Sequence, residues 1–138
     1  MDKETKKEII KAITEAEKMT SGEIRVHIQN KCTGDAFEYG KKIFQKLRMD
    51  KTKDKNGVLI ILAIDSKKFA ILGDKGIHEK VGDDFWNETR DKMLEHFKKD
   101  ELKEGIITGV LSVGEKLTAH FPCQKGDKNE LSNNVSED

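Results

Sequence analysis

Val58-Leu59-Ile60-Ile61-Leu62-Ala63-Ile64 is seven apolar residues in an otherwise densely charged chain. Four of the seven are β-branched, and the run breaks sharply at Asp65-Ser66-Lys67-Lys68. A continuous apolar run of this length suits a central strand covered on both faces. The turn after it sends Phe69-Ala70-Ile71-Leu72 back as an antiparallel hairpin partner. Working upstream, Glu23-Ile24-Arg25-Val26-His27-Ile28-Gln29 alternates strictly. It reads as a strand with Ile24, Val26 and Ile28 buried and His27 on a polar, solvated face.

Between these strands, Asp35 is placed to cap a helix whose apolar positions are Phe37, Gly40, Ile43, Phe44 and Leu47. The stretch from Arg48 to Lys55 is polar apart from Met49 and reads as a loop. A first helix, Asp2 to about Lys18, carries Ile9, Ile10, Ile13 and Ala16 at helical spacing, and Thr20-Ser21-Gly22 stops it. Downstream, Gly73-Asp74-Lys75-Gly76 ends the third strand and Ile77–Val81 forms a short turn. Gly82-Asp83-Asp84 then starts a helix burying Phe85, Trp86, Met93, Leu94 and Phe97, its carboxylates near the positive end of the dipole. A last helix, about Leu102 to His120, is closed by Pro122. From residue 123 to 138 the chain is nearly all polar and reads as a disordered tail.

The order helix, strand, helix, strand, strand, helix, helix predicts an α/β fold. It is a small mixed β-sheet sandwiched between α-helices on both faces, in one domain over residues 1–122. Strands one and two are expected to be parallel, joined by a right-handed crossover, and the third antiparallel to the second.

Composition narrows the function classes. The 138 residues hold 26 Lys plus Arg and 26 Asp plus Glu, for zero net charge, which argues against a global grip on nucleic acid. No run approaches the roughly 20 apolar residues of a membrane span, and the polar N-terminus lacks a secretory signal. The chain is therefore expected to be a cytoplasmic monomer with no membrane span. Cys32 and Cys123 form no CxxC pair and read as free thiols. No His or Cys pair has zinc-ligand spacing.

The topology gathers polar residues. The segments Thr20–Glu23, Asp50–Gly57 and Gly73–Asp84 fall on one rim of the sheet, bringing Glu23, Asp50, Asp54, Asn56, Asp74, Asp83 and Asp84 into one neighbourhood. Carboxylates and an amide on loops, without softer ligands, suit a hard cation such as calcium or magnesium. Thr52-x-Asp54-x-Asn56-Gly57 resembles half an EF-hand loop. The twelfth position is Ala63 and a strand follows, so it is not one. Asp54, Asn56, Asp74, Asp83 and Asp84, with Glu23 beside them, are the candidate ligands. The bland alternative is turn residues and helix-terminal charges in an acid-rich chain. No nucleophile motif is evident, so the catalytic residues are unknown.

These rim segments also carry a resemblance. Thr20-Ser21-Gly22-Glu23-Ile24-Arg25-Val26, Lys55-Asn56-Gly57-Val58-Leu59, Asp65-Ser66-Lys67-Lys68, and Gly76-Ile77-His78-Glu79-Lys80-Val81-Gly82-Asp83 resemble, in order, motifs of the TPM domain family. The helix containing Gly105-Ile106 follows the family pattern loosely. The match spans roughly Glu4 to Pro122. The resemblance implies a sheet between helices and a divalent-cation site on the acidic rim, its acidic positions falling on Lys55, Asn56 and Asp83. It also implies, through plant relatives reported as acid phosphatases, a metal-assisted phosphatase in which Asp83 or Asp84 would orient water. Other relatives are membrane-tethered modules. The chain departs from the family at Lys55, where an aspartate is usual, and at His78, where glutamate is common. A lysine there repels a metal ion. A third reading, a protein-interaction module, rests on the charged helix faces and the polar tail.

Overall fold

The computed structural model describes residues 2–52, 54–122 and 136–137, with the backbone alone for Asp83, Ser136 and Glu137. Its elements are α1 (Lys3–Glu17), β1 (Glu23–Gln29), α2 (Ala36–Lys46), β2 (Gly57–Ala63) and β3 (Lys68–Gly73), followed by α3 (Lys75–Val81), α4 (Asn87–Lys98), α5 (Leu102–His120) and β4 (Ser136–Glu137). Single 3₁₀ turns cover Met49–Lys51 and Asp83–Trp86.

The strand order is β3-β2-β1-β4. β1 and β2 are parallel, with Glu23 opposite Gly57 and Gln29 opposite Ala63, and β3 is antiparallel to β2. Every residue of β2 is buried, as its composition predicts. Alternate residues divide between two cores. Val58, Ile60 and Leu62 join Ile24, Val26, Ile28 and Ile71 against α1, α4 and α5. Leu59, Ile61 and Ala63 join Ala70 and Leu72 against Ile43 and Phe44 of α2. The sheet is thus sandwiched between helical layers, the expected fold class.

α1 begins where Asp2 accepts the Thr5 amide proton at 2.7 Å, and it buries Ile9, Ala12, Ile13 and Ala16. Its packing against α5 is very close. A Cβ added at Gly114 would stand 2.6 Å from the Ala16 Cβ, so only glycine allows these helices to approach so far. Behind them, Ser21 N–H donates to the Phe121 carbonyl at 2.9 Å, and the Thr20 hydroxyl donates to the same oxygen. That latch ties the start of β1 to the end of α5.

Several expectations are corrected. Phe37 and Leu94, assigned to buried stripes, are 43% and 40% exposed. Leu94 lies on the outer side of α4, whose buried positions are Thr89 and Met93. Ile77–Val81 is helix α3 rather than a turn, capped by Asp74. The next helix starts at Asn87, after a 3₁₀ turn, rather than at Asp83. The polar face of β1 is not solvated: Glu23, His27 and Gln29 are all buried. His27 and Gln29 find partners there, with His27 Nε2 3.1 Å from Gln29 Oε1 and Gln29 Nε2 donating to the Lys31 carbonyl at 2.6 Å, whereas Glu23 Oε2 is buried without a hydrogen bond. Met49, in the expected polar loop, is wholly buried.

Cys32 is a buried free thiol, and Cys123 lies outside the described residues. The polar tail also lies outside them, apart from Ser136 and Glu137, which pair parallel to His27 and Ile28. Among the described residues, no helix is long and apolar enough to cross a membrane.

Candidate functional site

Parallel pairing of β1 with β2 and the return of β3 place the three predicted segments at one end of the sheet. The Glu23 amide faces the Asn56 carbonyl at 3.4 Å, and Asn56 Nδ2 donates to Ser21 Oγ at 3.2 Å. The Asp74 amide donates to the Gly57 carbonyl, and the Gly76 amide to the Lys55 carbonyl, each at 2.9 Å. Gly76 is pressed so tightly on this loop that an added Cβ would overlap the Asp54 carbonyl and lie 2.5 Å from that of Lys55. The rim is therefore one hydrogen-bonded unit, as the topology predicts.

The side chains on it are more dispersed than the segments. Asn56 is 2% exposed and held by Ser21. Asp54 is exposed and lines a cleft of about 360 Å³ with Ser21, Gly76, Glu79, His120 and Pro122. Asp74 caps α3: its Oδ1 accepts the Lys75 amide proton at 2.8 Å, while its Oδ2 is buried with no hydrogen-bond partner. Asp84 is exposed and accepts from Asn87 Nδ2 at 3.4 Å. The side chain of Asp83 lies outside the described residues. Seven helical residues rise about 10 Å, so α3 holds Asp84 well away from Asp74. Among the described residues, no three His, Cys, Asp or Glu side chains stand together as an ion's ligands.

Glu23 has a different neighbour. Its carboxyl shares the interior with Glu17, at the end of α1, which the sequence reading passed over. Burial first, with the neighbouring Glu23 adding to it, raises the Glu17 carboxyl from 4.5 to about 8 against the opposing hydrogen bond from the Ile24 amide. That amide reaches Glu17 Oε2 at 2.8 Å. Two acids so placed cannot both ionise cheaply, which favours the protonated form of Glu17. Desolvation likewise lowers the Arg25 guanidinium.

Acceptors without donors are the feature of the rim that bears on a cation. Besides Asp74 Oδ2, the Thr52 hydroxyl oxygen is buried and makes no hydrogen bond. Leaving a buried polar atom unmatched costs about 1–3 kcal/mol, which a bound cation would offset at an oxygen. The Lys55 ammonium donates to the Asp50 carbonyl at 2.5 Å, so the lysine at the departure from the family pattern is tethered to a loop carbonyl. Thr52 was legible as the first oxygen of the alternating Thr52-x-Asp54-x-Asn56 stretch, though not as a chosen ligand, whereas Glu17, Glu79 and His120 were missed. Glu79 sits on the helix misread as a turn, and nothing local marks the other two.

The sequence profile of the TPM domain matches residues 1–116. The chain belongs to the TPM domain family. Among solved structures, this TPM domain resembles the BA42 protein of the psychrophilic bacterium Bizionia argentinensis, at 43% identity and a TM-score of 0.93, over 100% of this chain and 95% of that one. It shares its fold with the N-terminal domain of a P. gingivalis protein, at 18% identity and a TM-score of 0.71, over 88% of this chain and 78% of that one. No curated protein matches it.

Proposed function

We infer that this TPM domain is a binding module for a divalent hard cation, calcium or magnesium, on the rim formed by the loop before β2 and the start of α3. The observation that carries this reading is the buried Asp74 Oδ2, a carboxylate oxygen with no donor. It stands on the same hydrogen-bonded unit as Asn56 and the carbonyls of Asp54 and Lys55. Such oxygens suit calcium, which takes carboxylates and carbonyls in flexible geometry, better than a soft metal. Asp54, on the cleft wall, supplies the second carboxylate. Asp83 and Asp84, beyond the far end of α3, enter the proposal only as nearby negative charge rather than as ligands, and Glu23 is constrained by its neighbour Glu17.

A calcium and magnesium titration of the chain, followed through two-dimensional amide spectra, tests this reading. Saturable shifts confined to residues 52–57 and 73–84 are expected. Asp74→Asn should weaken them while leaving α3 capped, because asparagine caps as well as aspartate. A titration that is flat to millimolar ion refutes the reading.

A further inference from the structure

The two edges of the sheet are treated differently. The chain lays its own β4 along β1, whereas no described strand lies beyond β3. The hydrogen bond from the Asp74 amide to the Gly57 carbonyl fixes the phase of the antiparallel ladder. From that bonded pair, alternate residues exchange bonds with β2, so the N–H and C=O groups of Phe69, Ile71 and Gly73 point outward. These three residues line a cavity of about 210 Å³ that runs beside the edge. Its other walls include Phe37 of α2, Ile77 of α3, Trp86 and Arg90.

Ile71 sits at the floor of the groove and is only 4% exposed, but two of the usual protections of an edge are missing from β3. It contains no proline, and its single charged residue, Lys68, turns its ammonium back onto the carbonyls of Cys32 and Gly34. Phe37, 43% exposed, adds apolar surface to the groove. Arg90 is exposed and directs one guanidinium donor at Asn87 Oδ1, which leaves most of its planar fork for a carboxylate. Asp35 also borders the cavity, but its carboxylate accepts the Phe37 amide proton as the cap of α2.

We propose that the β3 edge is a peptide-binding groove, which takes an extended segment of a partner protein as an added strand. Main-chain hydrogen bonds to Phe69, Ile71 and Gly73 supply affinity. Alternate apolar side chains enter the groove by Phe37 and Trp86, and one acidic residue pairs with Arg90. Five strand residues span about 17 Å, so a segment of five or six residues fills it. The groove borders the cation rim at Gly73 and Ile77, but its test reads Phe69, Ile71 and Arg90 as well, outside the rim, and does not depend on an ion.

The test uses acetylated hexapeptides that alternate valine and threonine, with one glutamate at each position in turn, titrated into the full chain. Saturable shifts and slowed hydrogen exchange at the amides of Phe69, Ile71 and Gly73 are expected. N-methylation of every second peptide amide should weaken binding by about tenfold in one phase and leave it intact in the other. Arg90→Ala should weaken the best peptide by about two- to fivefold and remove the preference for glutamate. Equal damage from both methylation phases overturns the proposal, as does the absence of any shift up to millimolar peptide. If the same amides become protected with rising protein concentration alone, the occupant is a second copy of the chain and the partner peptide is refuted.

Discussion

Glu17→Gln should change how stability depends on pH. In the folded chain burial holds the Glu17 carboxyl at about 8, against 4.5 for the ordinary group. Between those values the folded state binds more protons than the unfolded state, so the slope of unfolding free energy against pH is negative. The stabilisation is fully present below about pH 4.5 and is lost as pH rises through 8. At about 1.4 kcal/mol per pH unit, a rigid and isolated site would lose on the order of 5 kcal/mol over that interval. Charge shared with Glu23 and partial exposure of Glu17 reduce the expected loss to about 2 kcal/mol. Glutamine keeps the shape and still accepts the Ile24 amide proton, but it cannot ionise. Urea unfolding at pH 5, 6, 7 and 8 should therefore show wild type losing about 2 kcal/mol relative to the variant. Asp2, lowered by the Thr5 amide, and Glu88, lowered by its hydrogen bond with Lys92, act equally in both proteins and drop out of the comparison. Parallel curves for the two proteins would show that Glu17 holds no proton in the folded state.

Gly76→Ala should destabilise the fold by about 1–3 kcal/mol, because the new methyl meets backbone carbonyls that cannot swing aside; an unchanged midpoint in thermal unfolding would contradict the packing described at the rim. Thr89 and Ser112 share a buried hydroxyl hydrogen bond of 2.6 Å between α4 and α5. Ser112→Ala should cost about 1–3 kcal/mol by orphaning Thr89, and the additional Thr89→Val should recover part of it in a double-mutant cycle. With magnesium present, hydrolysis of an aryl phosphate should not exceed that of Asp74→Asn. A metal-dependent rate abolished by Asp83→Asn would establish a phosphatase in place of a binding module.

Most of the sheet was legible because its strands declare themselves. β2 is a continuous apolar run, and Lys67-Lys68 separates it from a short apolar return. Parallel pairing with β1 followed from the helix between them. The buried polar face of β1 was not legible: alternation marks which residues face the hydrophobic core, and it is silent on whether the other face is covered. α3 was missed because seven residues with a glycine and a single buried apolar position, Ile77, carry too little periodicity. That miss propagated to the candidate site. Reading residues 77–81 as a turn folded Asp74 and Asp84 together, whereas a helix separates them. Glu17 was missed for another reason. Its proximity to Glu23 depends on how α1 turns into β1, which no spacing rule encodes.

The contact between Gly114 and Ala16 governs how the protein emerges from a ribosome. The apolar stripe of α1 is made first, and the surface that covers it is made nearly last. About 100 residues separate the two halves of the Thr20–Phe121 latch. Until α5 is synthesised, Ile9 and Ile13 lack much of their native cover, so a chain arrested before Gly105 exposes an aggregation-prone helix rather than a partial domain. The packing of the first helix on the last makes the cover of α1 wait for the synthesis of α5.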